Sequence, residues 1–168
     1  TPSVIVSVQD FVIGGGEGRQ QVTEAFNALN IPVLKALVQN DITQAQWQLS
    51  AQGVDADKVH YSLAMPELQG TSQPHVLAVA GQQNMDSLTG AKVALIEPLP
   101  KEIEHLNKRV QRWLTLQQKA NKDKRIAIIY YNHPPGRHNI GADNLNVPES
   151  LLEILRALKA AGYQTGKL

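Results

Sequence analysis

Five histidines, a glycine run and a handful of carboxylates are the groups in this sequence whose chemistry could matter. The histidines are His60, His75, His105, His133 and His138. Only His133 and His138 share one loop, and neither has a carboxylate at the spacing of a zinc protease. H-x-x-x-x-H alone makes a weak metal site, which would need another ligand such as Asp143 or Glu67. The competing reading has Asn132 and His133 hydrogen-bonding the loop into place. Serine and histidine are present without the G-x-S-x-G elbow of a hydrolase. Gly14-Gly15-Gly16-Glu17-Gly18 lacks both the Gly-Lys-Ser/Thr ending of a phosphate loop and the spacing of a dinucleotide fingerprint. Glu17 would repel a phosphate there, so the run reads as a surface loop. No catalytic residue is assigned, and no firm metal ligand.

The elements that position these groups follow from periodicity. Ser3 to Val8 reads as a strand, Gln20 to Leu29 as a helix and Val33 to Val38 as a second strand. Asp41 or Thr43 can cap a short helix over Gln44 to Gln52. Val59, Tyr61, Leu63 and Met65 alternate, which predicts a half-exposed strand ending at Pro66-Glu67-Leu68-Gln69-Gly70. Gln73 to Ala80 is a further strand ended by Gly81, Ser87 to Gly90 a turn, and Lys92 to Ile96 a brief strand. Pro98 and Pro100 open a long helix to Gln118, with Ile103, Leu106, Val110, Trp113 and Leu114 on its core stripe. Lys108, Arg109 and Arg112 fall on or beside the opposite face. Ile126 to Tyr131 reads as a buried strand that breaks into a proline-stiffened loop, Asn132 to Asn146. A last helix is opened by Pro148 and closed by Gly162. The expected fold class is therefore α/β, a Rossmann-like, mostly parallel sheet of five or six strands with flanking helices. A division into two βαβ-type lobes, residues 1–83 and 84–168, is compatible with the pattern.

With 168 residues, 42% hydrophobic and 18% charged, the chain has the composition of a globular protein able to bury its own core. A net charge of +1 gives no reason to expect nucleic acid. The basic cluster Lys119 to Arg125 is interrupted by Asn121 and Asp123 and reads as a solvated turn. There is no cysteine, which excludes disulfides and thiolate metal sites and fits a reducing, cytoplasmic setting. No apolar stretch is long enough to span a membrane. Beginning Thr1-Pro2 and ending Gly166-Lys167-Leu168, the chain is expected to be a piece of a longer one.

N-H-P-P-G-x-x-N-I-G-A-x-x-L-N-V-P-E-S-L, from Asn132, followed by L-x-x-L-K-x-x-G-Y, resembles the large, tetrapyrrole-binding subunit of cobaltochelatase and its relative in magnesium chelatase. Arg109 to Ile129 and P-E-L-Q-G fit the same family, although Gln69 stands where its members more often carry Asp. The resemblance implies a scaffold and pocket module of an ATP-dependent chelatase, a ligase forming nitrogen–metal bonds, that inserts cobalt or magnesium into a corrin or porphyrin. It implies substrate contacts at Asn132, His133, Gly136, Asn139, Gly141 and Glu67. Its partners would be the rest of the large subunit and separate AAA+ subunits that hydrolyse ATP. Arg109, Lys108 and Arg112 are then candidates for holding tetrapyrrole carboxylates. The family's glutamate motifs, which would supply the base for the pyrrolic protons, do not occur here. By itself the piece is expected to bind no resident cofactor and to be inactive. Two alternatives stand beside this: a haem-handling chelatase homologue, or a Rossmann-like small-ligand module without catalysis.

Overall fold

The computed structural model describes residues 2–130, 141–142 and 145–167. Its chain divides into two compact units, Thr1–Leu114 and Thr115–Leu168. The division expected at residues 83 and 84 falls inside a hairpin whose two strands pair with each other.

Unit 1 is built on a sheet in the order β1-β2-β3-β4. Strands β1 (Ile5–Ser7), β2 (Val33–Thr43) and β3 (Thr71–Met85) run parallel, and β4 (Lys92–Pro98) returns antiparallel to β3. This is the mixed α/β class with a mostly parallel sheet, carried among the described residues by four strands where five or six were expected. Val33 to Leu37 are buried at every position. Since successive strand residues face opposite ways, both faces of β2 are covered, as a parallel central strand requires. Leu37, Val76, Val79 and Leu99 form the core cluster, with Ile42, Trp47, Val54 and Leu63 packed on it.

Helix α1 (Gly18–Leu29) makes the first crossover, and Asn30 ends it in the left-handed conformation at φ 49°. Helix α2 (Gln44–Leu49) starts at Thr43 with a reciprocal capping box to Gln46, the cap the sequence offered. Residues 57–65, expected to be a strand, lie in a helical stretch: α3 (Ala56–Val59), a π-helical turn at His60–Ala64, and α4 (Met65–Leu68). The alternation of Val59, Tyr61, Leu63 and Met65 misled because Ser62 and Pro66, four apart, are the buried pair. Gly81 does not end β3. It lies at a bulge, where a β-carbon would meet the Leu95 carbonyl oxygen at 2.9 Å. The β3–β4 turn is held by Asp86, whose Oδ1 accepts from the backbone of Leu88 and Thr89 at 3.1 and 2.7 Å. Helix α5 (Pro100–Gln118) buries Leu106 and half-buries Val110, Trp113 and Leu114, while Ile103 stays exposed.

In unit 2 the expected strand at residues 126–131 is not found over its described part. Residues 126–130 carry no regular secondary structure and pair with no strand among the described residues, and Ile129 is 94% exposed. An apolar run becomes a buried strand only where a partner edge and a covering layer exist. A short ribbon, β5 (Gly141–Ala142) with β6 (Leu145–Asn146), leads into α6 (Val147–Ala160). Asn146 caps α6 by accepting from Glu149 N. Gly162, at φ 87°, ends it in a Schellman motif, with Gly162 N on Lys159 O and Tyr163 N on Leu158 O, each 3.0 Å.

Candidate functional site

Asn132, His133, Gly136, His138 and Asn139, five of the residues singled out in the sequence, lie outside the described residues, as does Asp143. Gly141 is in β5. Glu67 is exposed on α4. Its neighbour Gln69 is 3% exposed. The Gln69 amide donates to Ile13 O at 2.7 Å and accepts from Ile13 N at 2.8 Å, with a longer bond to Arg19 O. A carboxylate at this position could accept but not donate, so glutamine here is a pin for the glycine loop. That loop is a specific turn: Gly14 sits at φ 77°, and a β-carbon on it would meet Gly18 O at 2.7 Å. Close by, the buried Lys35 ammonium donates to the carbonyls of Gln9 and Asp10, and the Ser62 hydroxyl donates to Asp10 Oδ1 at 2.8 Å. Burial pushes the Lys35 ammonium below its ordinary pKa, with Asp10 pulling the other way.

Two constellations carry more chemistry. One belongs to unit 1. His75 on β3 faces Glu102 and His105, one helical turn apart on α5. Glu102 Oε2 lies 3.9 Å from His75 Nε2 and 3.5 Å from His105 Nδ1. The three potential ligand atoms lie within 4.8 Å of one another. A bulge aims His75 this way: the β2–β3 register shifts between Ser72 and His75, and Gln73 takes a left-handed φ of 52°. That strained residue is clamped from α5, with Arg109 donating to Gln73 Oε1 at 3.4 Å and Trp113 Nε1 at 3.3 Å. His75 Nδ1 is buried without a hydrogen bond. Burial and the Arg109 charge lower the His75 pKa, outweighing Glu102 and the Pro74 carbonyl, while His105 lowers it further. His75 and Glu102 border an apolar cavity of about 240 Å³ beneath Trp47, Val54 and Leu63. Glu102 and Trp47 also border a second cavity of about 630 Å³ with Gln44 and Lys101. In sequence Glu102 falls in the first turn of α5, where a carboxylate favours the helix dipole, and neither His75 nor His105 carries an assignment. Glu102-x-x-His105 was the available signal, since that spacing puts both side chains on one helix face.

The other constellation belongs to unit 2, a cavity of about 770 Å³. Lys119, Lys122, Lys124 and Arg125 line it alongside Asp123, and Ile126, Ile128, Leu155, Leu158 and Tyr163 supply its apolar wall. Asn121 orders this rim by donating to Ala161 O at 2.8 Å and accepting from Lys124 at 2.8 Å. The Lys124 ammonium stands 5.9 Å from the centre of the Tyr163 ring. The cluster that reads in sequence as a solvated turn is exposed, and it is also the cationic side of a cavity.

Fold and cavities together define a mixed α/β module with a carboxylate–imidazole cluster and a separate cationic, apolar-walled recess. Comparison with known proteins gives the family. The model of CobN/Magnesium Chelatase matches residues 1–168, and the chain belongs to that family. Magnesium-chelatase subunit ChlH, chloroplastic, from Oryza sativa subsp. indica is 34% identical over 165 residues, 96% of this chain and 11% of the relative. Aerobic cobaltochelatase subunit CobN from Sinorhizobium sp is 25% identical over 169 residues, 99% of this chain and 13% of the relative. The solved catalytic subunit of cobaltochelatase from Mycobacterium tuberculosis superposes with a TM-score of 0.73 at 22% identity, over 99% of this chain and 14% of that one. The last likeness bears on the fold alone. The chain thus spans 11% to 15% of the length of these and similar curated relatives. No helix among the described residues is long and apolar enough to cross a membrane.

Proposed function

We propose that this chain is a scaffold and substrate-pocket module of a chelatase large subunit that inserts cobalt or magnesium into a tetrapyrrole, with ATP hydrolysed on separate AAA+ subunits in the cytoplasm. The observation that carries the reading is the unit 2 cavity. A tetrapyrrole is a flat apolar ring bearing carboxylates at its edge. The recess offers the matching chemistry: four basic side chains facing an aliphatic wall and Tyr163. Its volume of about 770 Å³ is within the usual range of small-molecule sites, roughly 300–1,000 Å³. Arg125 suits bidentate carboxylate capture, and Lys119, Lys122 and Lys124 act as point charges. The Asn132–Asn139 segment and Gly141 follow this wall directly in the chain and are proposed to continue the substrate contacts. Glu67 is retained as a further contact, since its carboxylate is exposed.

Insertion requires the macrocycle to lose its pyrrolic protons as the metal–nitrogen bonds form. This module is assigned binding and orientation, and the general base is placed elsewhere in the parent chain. A titration of the chain with a metal-free porphyrin bearing free carboxylates tests the reading. The expected result is a saturable shift of the porphyrin Soret band that is abolished in Lys124→Glu/Arg125→Glu and weakened when the carboxylates are esterified. Binding indifferent to both changes would overturn the assignment of this cavity.

A further inference from the structure

We propose that His75, Glu102 and His105 form a binding site for one divalent transition-metal ion of the cobalt, nickel or zinc class, in unit 1 and independent of the tetrapyrrole cavity.

The spacing of the three groups suits a metal ion. Metal–nitrogen and metal–oxygen bonds of about 2.0–2.2 Å at tetrahedral angles put neighbouring ligand atoms roughly 3.3 Å apart. The carboxylate oxygen stands 3.5 Å and 3.9 Å from the two imidazole nitrogens. Small rotations of exposed His105 and half-buried Glu102 close that difference. The separations are also too long for strong hydrogen bonds, so the groups converge without pairing closely.

The convergence is also imposed from the backbone. Glu102 and His105 share a face of α5. His75 directly follows the Gln73–Pro74 bulge, which Arg109 and Trp113 of the same helix hold through Gln73. A left-handed, non-glycine residue inside a strand costs free energy, and such strain collects where side chains must be aimed.

The orphaned nitrogen points the same way. His75 Nδ1 is buried with no hydrogen bond. Ligation through Nε2 leaves the proton on the buried Nδ1 and so fixes one tautomer of the ring.

The donor set selects the metal class. Two imidazoles and one carboxylate suit first-row transition ions, whereas magnesium prefers oxygen ligands and keeps its waters. Three protein ligands leave at least one position open, so the ion stays exchangeable.

The test is a titration of the chain with Co²⁺ alone, followed by calorimetry and visible d–d absorption. Stoichiometric binding of one ion is expected, unchanged by Mg²⁺ at equal concentration. His105→Ala and Glu102→Gln, both at solvent-accessible positions, should each lower affinity at least tenfold, since loss of mere supporting contacts already costs about 10–100-fold. His133→Ala/His138→Ala should leave it intact. The proposal fails if Co²⁺ does not bind the wild-type chain, if His105→Ala binds as well as wild type, or if the His133/His138 variant is the one that loses the ion. Each of these outcomes is independent of whether a porphyrin binds.

Discussion

Residues 33–37, V-L-K-A-L, and residues 126–130, I-A-I-I-Y, are both short apolar runs, and they meet opposite fates. In unit 1 even the charged member is taken inside: Lys35 is 2% exposed. In unit 2 the aliphatic Ile129 is 94% exposed. The difference lies in what surrounds each run. Val33 to Leu37 sit in β2, between β1 and β3, with both faces covered. The second run has no paired strand among the described residues and forfeits roughly the 1.5–3 kcal/mol that burying one such side chain can yield. Unit 1 therefore carries a closed core, whereas in unit 2 Val147 is the buried apolar residue among those described. Burial is a property of partners, and hydrophobicity only makes it available.

The largest expected effect that sharpens this contrast is Leu34→Ala. Leu34 is 0% exposed, and its truncation should cost about 3–4 kcal/mol in urea unfolding. A loss below about 1 kcal/mol would break the picture of a closed core. Gln69→Leu strands the Ile13 N–H and carbonyl that the amide now pairs, so a loss of about 2 kcal/mol is expected. Gly81→Ala drives a β-carbon against the Leu95 carbonyl oxygen, and about 1–2 kcal/mol should follow, read as faster amide exchange in the β3–β4 hairpin.

Smaller is the Asp41–Lys58 ion pair, 2.7 Å apart at the surface. Its hydrogen bond holds the Asp41 pKa below the ordinary 3.8 and the Lys58 pKa above the ordinary 10.5. The carboxylate's contribution is present above about pH 4 and is lost as pH falls through its folded value. The ammonium's is present below about pH 10 and is lost as pH rises through its folded value. Asp41→Asn should cost no more than about 0.5 kcal/mol at pH 7 and flatten the acid limb of the Tm profile. Ile129→Ser should change stability least, by under about 0.5 kcal/mol, while lowering self-association in light scattering. A large destabilisation there would mean that unit 2 has a core these residues belong to.

Much of the frame was legible in one dimension. Parallel β1 and β2 follow from β-rich runs separated by an amphipathic helix. The caps at Thr43 and Gly162 follow from local hydrogen bonding that needs no distant partner. The helical turn through His60 was not legible, because four alternating apolar residues fit a strand as well as they fit a helix whose buried face lies on other residues. The cavities were not legible either. Lys119 to Arg125 became the rim of a recess only once Leu155, Leu158 and Tyr163 stood opposite.

The sequence by itself determined the α/β class, the family to which the chain belongs and the positions of its turns and caps, since each is written in contacts a few residues long or in a motif. Only the tertiary structure decided that His75 meets Glu102 and His105 across 27 and 30 positions of chain, that Gln69 pins the glycine loop, and that one apolar run is interior while another faces solvent. Short-range bonding is fixed by neighbours in the chain, whereas convergence and burial depend on groups that the fold alone brings alongside.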